Sequence, residues 1–103
     1  MTPHETYLYF RTLTHTIVYI QRAADMRELA EAVSPVGLTV TTKDWGGKFE
    51  QSRWSAVVTQ QDGAEVLTAV NVDELNAAKL AAYNVLRVMQ QDAVRAIEGE
   101  VQP

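Results

Sequence analysis

Histidines are the residues of this chain best suited to holding a metal, and there are two of them, His4 and His15. A zinc site on a helix usually begins with two ligands four residues apart and needs a third. These histidines are eleven residues apart, and the only neighbouring carboxylate is Glu5, beside His4. We therefore expect both histidines at the surface, and we predict neither a metal nor a cofactor.

Serine, threonine and paired carboxylates are the other groups that could carry catalysis. None of the serines or threonines lies at the strand-to-helix elbow that exposes a nucleophile, and no two carboxylates can be inferred to share a pocket. A chain of 103 residues is also short for a catalytic cleft. We therefore predict that the protein is not an enzyme.

Three basic side chains could form a stripe that binds an anion or an acidic partner. Arg11, His15 and Arg22 are separated by four and seven residues, and these spacings bring them near one another if the helix that carries them is continuous. Clustered positive charge favours negatively charged groups. The alternative is an ordinary solvated helix face.

The net charge of −4 sits in the C-terminal part of the chain. Residues 61–103 contain seven acids and three bases, which give −4 alone, so the other 60 residues are balanced. Proteins that bind nucleic acid usually gather excess lysine and arginine on one face, so we do not expect nucleic acid as the partner. An acidic surface suits a basic protein instead.

Length and composition describe a single domain over residues 1–103, long enough to bury about two thirds of its unfolded surface. The absence of cysteine suits a reducing compartment. The apolar runs are far shorter than the roughly 20 residues that cross a membrane, and no signal-like segment is present. We expect a cytoplasmic protein that does not contact membranes.

Residues 53–89 organise the fold, because they indicate a hairpin that passes directly into a helix. Asp62-Gly63 is a favoured two-residue turn, and it fixes which residues of the two strands face each other. The predicted core-face pairs are Val58 with Leu67, Ala56 with Ala69 and Trp54 with Asn71. The predicted outer-face pairs are Thr59 with Val66, Val57 with Thr68 and Ser55 with Val70.

The helix after this hairpin is predicted over residues 72–98. Asn71 suits the N-cap with Glu74 reaching back to it, and Gly99 suits the end of the helix. The predicted apolar stripe consists of Leu75, Ala78, Ala82, Val85, Leu86, Met89, Ala93 and Ile97. The residues predicted to lie away from it are Asn76, Lys79, Tyr83, Arg87 and Gln90.

The N-terminal third contains conflicting signals. Thr2 and Glu5 form a capping box with Pro3 at the first helical position, whereas the following residues are rich in the β-branched and aromatic types that strands prefer. Helical spacing of the apolar residues favours one helix over residues 3–33, with only Arg27 out of place. The alternative is a strand over residues 13–20 followed by a shorter helix.

A first hairpin follows Ser34-Pro35 and Gly37, which end the helix. A loop of Gly46-Gly47-Lys48 sets Leu38 opposite Ala56 and Val40 opposite Trp54, whereas a two-residue loop would pair Val40 with Arg53 and reverse the faces. We choose the first register, which also sets Trp45 opposite Phe49 on the outer face and Asp44 opposite Glu50.

The order helix, three antiparallel strands, helix resembles the double-stranded RNA-binding domain over residues 25–89. Residues 77–86, AAKLAAYNVL, are similar to the second helix of that family, whose alanines let it lie close to the sheet. In the family a lysine cluster opens this helix and meets RNA phosphates. The matching stretch here, residues 71–76, has two acids and no base, so the resemblance implies the fold and transfers no site residue.

These observations predict an α+β domain with an N-terminal helix, a three-stranded antiparallel sheet and a long C-terminal helix. We predict a small non-catalytic protein-interaction module that forms a homodimer, of the kind that inhibits or regulates a basic partner through an acidic surface. The predicted partner-binding residues are Trp45, Phe49, Arg53, Val57 and Val66. The alternative function is a nucleic-acid-binding module of the double-stranded RNA-binding type.

Overall fold

The computed structural model describes residues 2–46, 53–61, 63, 65–71 and 73–101. The protein is α+β, as predicted. Its elements in chain order are α1 (Pro3–Arg22), α2 (Met26–Val33), a 3₁₀ turn (Ser34–Val36), β1 (Thr39–Asp44), β2 (Trp54–Thr59), β3 (Glu65–Asn71) and α3 (Glu74–Val101).

The N-terminal segment is helical, so the alternative of a strand over residues 13–20 is wrong. The prediction of one helix over residues 3–33 is also wrong, because α1 ends at Arg22 and α2 begins at Met26. Thr2 caps α1 as predicted, accepting a hydrogen bond from the Glu5 backbone N–H. The strand propensity of this segment is therefore overridden by capping and by its helical apolar stripe.

The break between α1 and α2 comes from a second capping motif. Asp25 accepts a hydrogen bond from the Glu28 N–H at 2.8 Å, and the Glu28 carboxylate accepts one from the Ala24 N–H at 2.6 Å. These bonds satisfy backbone donors at the start of α2 and hold Asp25 in an extended conformation. After the break, Leu29 and Val33 are buried and Arg27 is exposed, which removes the one misfit of the predicted stripe.

The strands form one antiparallel sheet in the order β1-β2-β3. The predicted β2–β3 register is confirmed for Val58 with Leu67, Ala56 with Ala69, Trp54 with Asn71, Val57 with Thr68 and Ser55 with Val70. The predicted pair of Thr59 with Val66 is wrong, because a register shift after Val58 places Thr59 opposite Glu65. Gly63 donates its N–H to the Gln60 carbonyl and has a φ of 86°, so the connection is wider than a two-residue turn.

The β1–β2 register differs from the prediction by four residues. Val40 pairs with Val58 and Thr42 with Ala56, and Asp44 pairs with Trp54. The connection between the strands is therefore longer than Gly46-Gly47-Lys48. Sequence does not predict this length, because both glycines permit a turn and nothing local selects where the turn closes. A shift of four residues is even and preserves the faces, so Val40 stays on the core side. The predicted partners of Asp44 and Trp45, Glu50 and Phe49, lie outside the described residues.

Helix α3 starts and ends later than predicted. Its N-cap is Asp73, whose carboxylate accepts from the Asn76 N–H at 2.9 Å, whereas Asn71 accepts from the Asp73 N–H at 3.1 Å. Glu74 does not reach back but accepts a hydrogen bond from the Thr42 hydroxyl of β1 at 3.0 Å. Gly99 does not end the helix, since an exposed glycine costs only about 1 kcal/mol in a helix interior.

The core lies between the sheet and α3, which packs against all three strands and against α1. The α3 members of the core cluster include a run of fully buried residues, Ala77, Ala78, Ala81, Ala82, Val85 and Leu86. Gln90, predicted to lie away from the stripe, is buried. It donates to the Thr14 hydroxyl of α1 at 2.9 Å and accepts from Arg87 at 3.1 Å, so its burial is matched by hydrogen bonds.

Residues 25–89 contain α2, the three strands and most of α3, in the order that the resemblance to the double-stranded RNA-binding domain implies. Helix α1 precedes this unit and packs along α3. A small helix-sheet-helix arrangement of this kind does not identify that family.

Candidate interaction surface

The face of the sheet away from α3, here called the outer face, is open in the part of the chain that the structure describes. Side chains alternate across a strand, so the partners of the core residues point to this side. On the edge strands its described residues are exposed, and on the central strand they are half-buried. Its described members are Thr39, Thr41, Lys43 and Trp45, then Arg53, Ser55, Val57 and Thr59, then Val70.

Trp45 extends the outer face just beyond the end of β1, and it is held by several contacts. Its backbone N–H donates to the Arg53 carbonyl at 2.7 Å, and its indole Nε1–H donates to the Ser55 hydroxyl at 2.9 Å. The Lys43 ammonium lies 3.9 Å from the ring centroid, a distance at which the cation is attracted to the ring face. The ring is still 38% exposed, so a large apolar surface is fixed in place and open to contact.

Arg53 forms a two-pronged ion pair with Asp44 at the same end of the sheet. Its Nε and Nη2 atoms donate to the two carboxylate oxygens of Asp44 at 3.0 and 3.1 Å. The Gly46 N–H donates to Asp44 as well, at 2.8 Å. Hydrogen bonds from Arg53 and then Gly46 lower the pKa of Asp44, and Asp44 raises the pKa of Arg53. The charge of Arg53 is therefore largely neutralised within the hairpin.

The lowered pKa of Asp44 predicts that its contacts with Arg53 and Gly46 loosen in acid. A carboxylate whose pKa is lower in the folded state stabilises that state above its unfolded pKa, and this contribution is lost as pH falls through the folded value. We expect the indole N–H resonance of Trp45 to stay constant from neutral pH to about pH 4 and to shift below it. In Asp44→Asn the resonance should start at a shifted position and show no such titration. The same acid transition in Asp44→Asn would contradict this assignment.

The structure brings together three of the five predicted partner-binding residues. Trp45, Arg53 and Val57 lie on the outer face, with Val57 half-buried on the central strand. Val66 lies within β3, at the register shift beside Val58. Phe49 falls outside the described residues.

The predicted basic stripe lies elsewhere, on α1. Arg11, His15 and Arg22 are all exposed, and α1 is continuous through all three. Since α1 packs on α3 rather than on the outer face, the stripe is a surface separate from the tryptophan.

Sequence reasoning missed a cleft beside α1, and it placed Val70 on the outer face without counting it among the partner-binding residues. Val70 is 50% exposed on β3, although alternation already places it on the outer face. The cleft, of about 630 Å³, lies where α1, α3, the start of β1 and the end of β2 meet, and Tyr9 and Met89 line it. Burial raises the pKa of Tyr9. This cleft depends on how α1 sits against α3, which no local pattern specifies.

No described helix has both the length and the apolarity needed to cross a membrane. Within the described ranges, histidine, aspartate and glutamate side chains do not gather in threes as a metal site would require. Comparison with protein-family models, with curated proteins and with solved structures finds no match to this chain.

Proposed function

We propose that this protein is a non-catalytic protein-interaction module that works through the outer face of its sheet. The observation that carries the proposal is an antiparallel sheet with helices on one side and, among the described residues, an uncovered surface on the other. Trp45, Val57 and Val70 give this surface apolar area, and the contacts of Trp45 hold its ring in position before a partner arrives. Preorganised aromatic side chains of this kind are common anchors of protein interfaces.

The partner we propose for this face is a second copy of the chain. Exposed apolar patches often mark interaction sites, and a symmetric dimer is the commonest assembly of identical chains. Arg53 adds little repulsion to such a dimer because Asp44 neutralises it, so the main charge left on this face is the Lys43 ammonium beside the Trp45 ring. Two outer faces can therefore approach without strong repulsion.

The proposal is tested with the triple variant Trp45→Ser, Val57→Thr, Val70→Thr. We expect the wild type to sediment as a dimer at micromolar concentration, and the variant to dissociate at least about tenfold more readily, because three anchors lose apolar contact area. Helix content by circular dichroism should stay unchanged. The matched control is Tyr83→Ser, Val88→Thr, Val94→Thr, which removes similar exposed side chains from α3.

Two results would overturn this assignment of the dimer surface. A wild type that sediments as a monomer would leave the outer face without a second copy. Equal dissociation of the control triple would place the contact on α3 instead.

We propose a basic protein as the second partner, which this chain would inhibit or regulate. The acidic residues of α3 favour such a partner. Asp73 and Glu74 lie at the start of the helix and Asp92 follows 18 residues after Glu74. At 1.5 Å per residue these groups are about 27 Å apart, so a basic partner would have to lie along the helix.

A salt titration separates this proposal from the nucleic-acid alternative. Binding to generic duplex RNA that weakens steeply with salt would favour a module of the double-stranded RNA-binding type. We expect no such binding, because the two residues that open α3 in place of that family's lysines are Asp73 and Glu74, and both are acidic. A protein captured from lysate in the presence of ribonuclease would support the protein-binding proposal.

A further inference from the structure

The outward face of α1 carries the same short pattern twice. His4, Leu8 and Arg11 are followed eleven residues later by His15, Tyr19 and Arg22, with Tyr19 in the place of Leu8. Eleven residues make close to three helical turns, so both copies return to the same side of the helix. The two units together occupy an arc of about 80°, calculated at about 100° per residue.

All six residues of this double unit are exposed, and it lies on the side of α1 away from α3. Leu8 is 44% exposed and Tyr19 is 57% exposed, so each unit combines a basic pair with one large apolar side chain. Equivalent positions of the two units are about 16 Å apart along the helix. The double unit is therefore a linear surface with two similar contact points.

The basic residues of this face have no acidic partner within the described part of the chain. Arg11 and Arg22 form no ion pair there, because the acids nearest in sequence are engaged elsewhere. Glu5 accepts from the Thr2 hydroxyl, and Asp25 caps α2. Glu28 accepts from the Ala24 N–H and Glu31 pairs with Arg27. A protein of net charge −4 thus presents one helix face that is locally positive.

We propose that the double unit on α1 binds an acidic amphipathic helix of another protein, with carboxylates and an apolar residue repeating every eleven positions. Charge complementarity selects an acidic partner. The interleaved Leu8 and Tyr19 favour a protein over a phosphate backbone, because two arginines release few counterions while the apolar side chains need apolar contact. This surface is independent of the outer face of the sheet.

The test uses a fluorescent alanine-rich peptide of roughly 22 residues, long enough to span both units as a helix. It carries two sets of two glutamates flanking one leucine, spaced eleven residues apart. A second peptide of equal composition spaces the two sets nine residues apart, which places them on opposite sides of a helix. The third ligand is a fluorescent DNA duplex of matched charge. The protein is added to each ligand, and binding is measured by fluorescence anisotropy at about 50 mM salt.

We expect the in-register peptide to bind more tightly than the out-of-register peptide and the duplex. The variant Arg11→Gln, Arg22→Gln should weaken its binding about tenfold, and Leu8→Ser, Tyr19→Ser should weaken it at high salt as well. The matched control is Arg27→Gln, Arg95→Gln, which removes the same charge from exposed arginines outside the double unit and should change binding by less than about twofold.

Several outcomes would overturn the proposal. Equal binding of the two peptides, or equal loss in both arginine double variants, would reduce the effect to net charge. Tighter binding of the duplex would identify phosphate as the ligand, and no binding of either peptide would remove the surface altogether. The outer-face triple variant, which leaves the double unit intact, should bind the peptide like the wild type, so this test and that of the sheet surface can fail separately.

Discussion

Replacing Leu13 with alanine is expected to lower the free energy of unfolding by about 2–5 kcal/mol. Leu13 is fully buried on the side of α1 that packs into the core, and its truncation removes apolar contact and leaves a cavity. For a domain whose total stability is about 5–15 kcal/mol, this is a large share. Urea denaturation followed by circular dichroism measures the change.

The matched control for Leu13 is Leu8→Ala in the same helix. Leu8 is 44% exposed, so we expect its truncation to change stability by no more than about 0.5 kcal/mol. Equal losses at the two positions would mean that burial in the core does not set the contribution of these leucines. A negligible effect at Leu13 would mean that α1 is not part of the cooperative unit.

The parts of the fold that the sequence predicts well are those specified by short-range signals. Alternation in β2 and β3, together with Gly63 in the turn, predicts five of the observed pairs. The apolar stripe of α3 predicts most of its buried face. In these regions local preference and tertiary packing agree, so either would have given the same assignment.

The errors fall where two local signals compete or where the deciding contact is distant. Asp25 and Glu28 have the spacing that predicts a helix start, yet the continuous apolar stripe outweighed them. The helical pattern assigns Gln90 to the surface, because its partner, Thr14, is 76 positions away in the sequence. The β1–β2 register likewise depends on pairing across a loop that its glycines do not define.

The candidate surface was predictable in part, for a simple geometric reason. A register error of four residues is even and leaves every side chain on its face, so Trp45 remains on the outer face although its partner changes from Phe49 to Arg53. The ion pair of Arg53 with Asp44 was not predictable, because it exists only in the observed register. The positions of Arg11 and Arg22 depend only on helix continuity through α1, which the capping box at Thr2 and the helical spacing together support.

Replacing Gly63 with valine is expected to destabilise the fold by about 1–3 kcal/mol, through backbone strain alone. Gly63 has a φ of 86°, which a β-branched residue adopts only at high cost, and a Cβ added there would meet no atom within 4 Å. Asparagine tolerates the left-handed region, so Gly63→Asn should cost at most about 1 kcal/mol. Denaturation midpoints of both variants measure the difference. Equal losses would contradict a conformational origin, and no loss in either would show that the β2–β3 turn does not need a left-handed residue at this position.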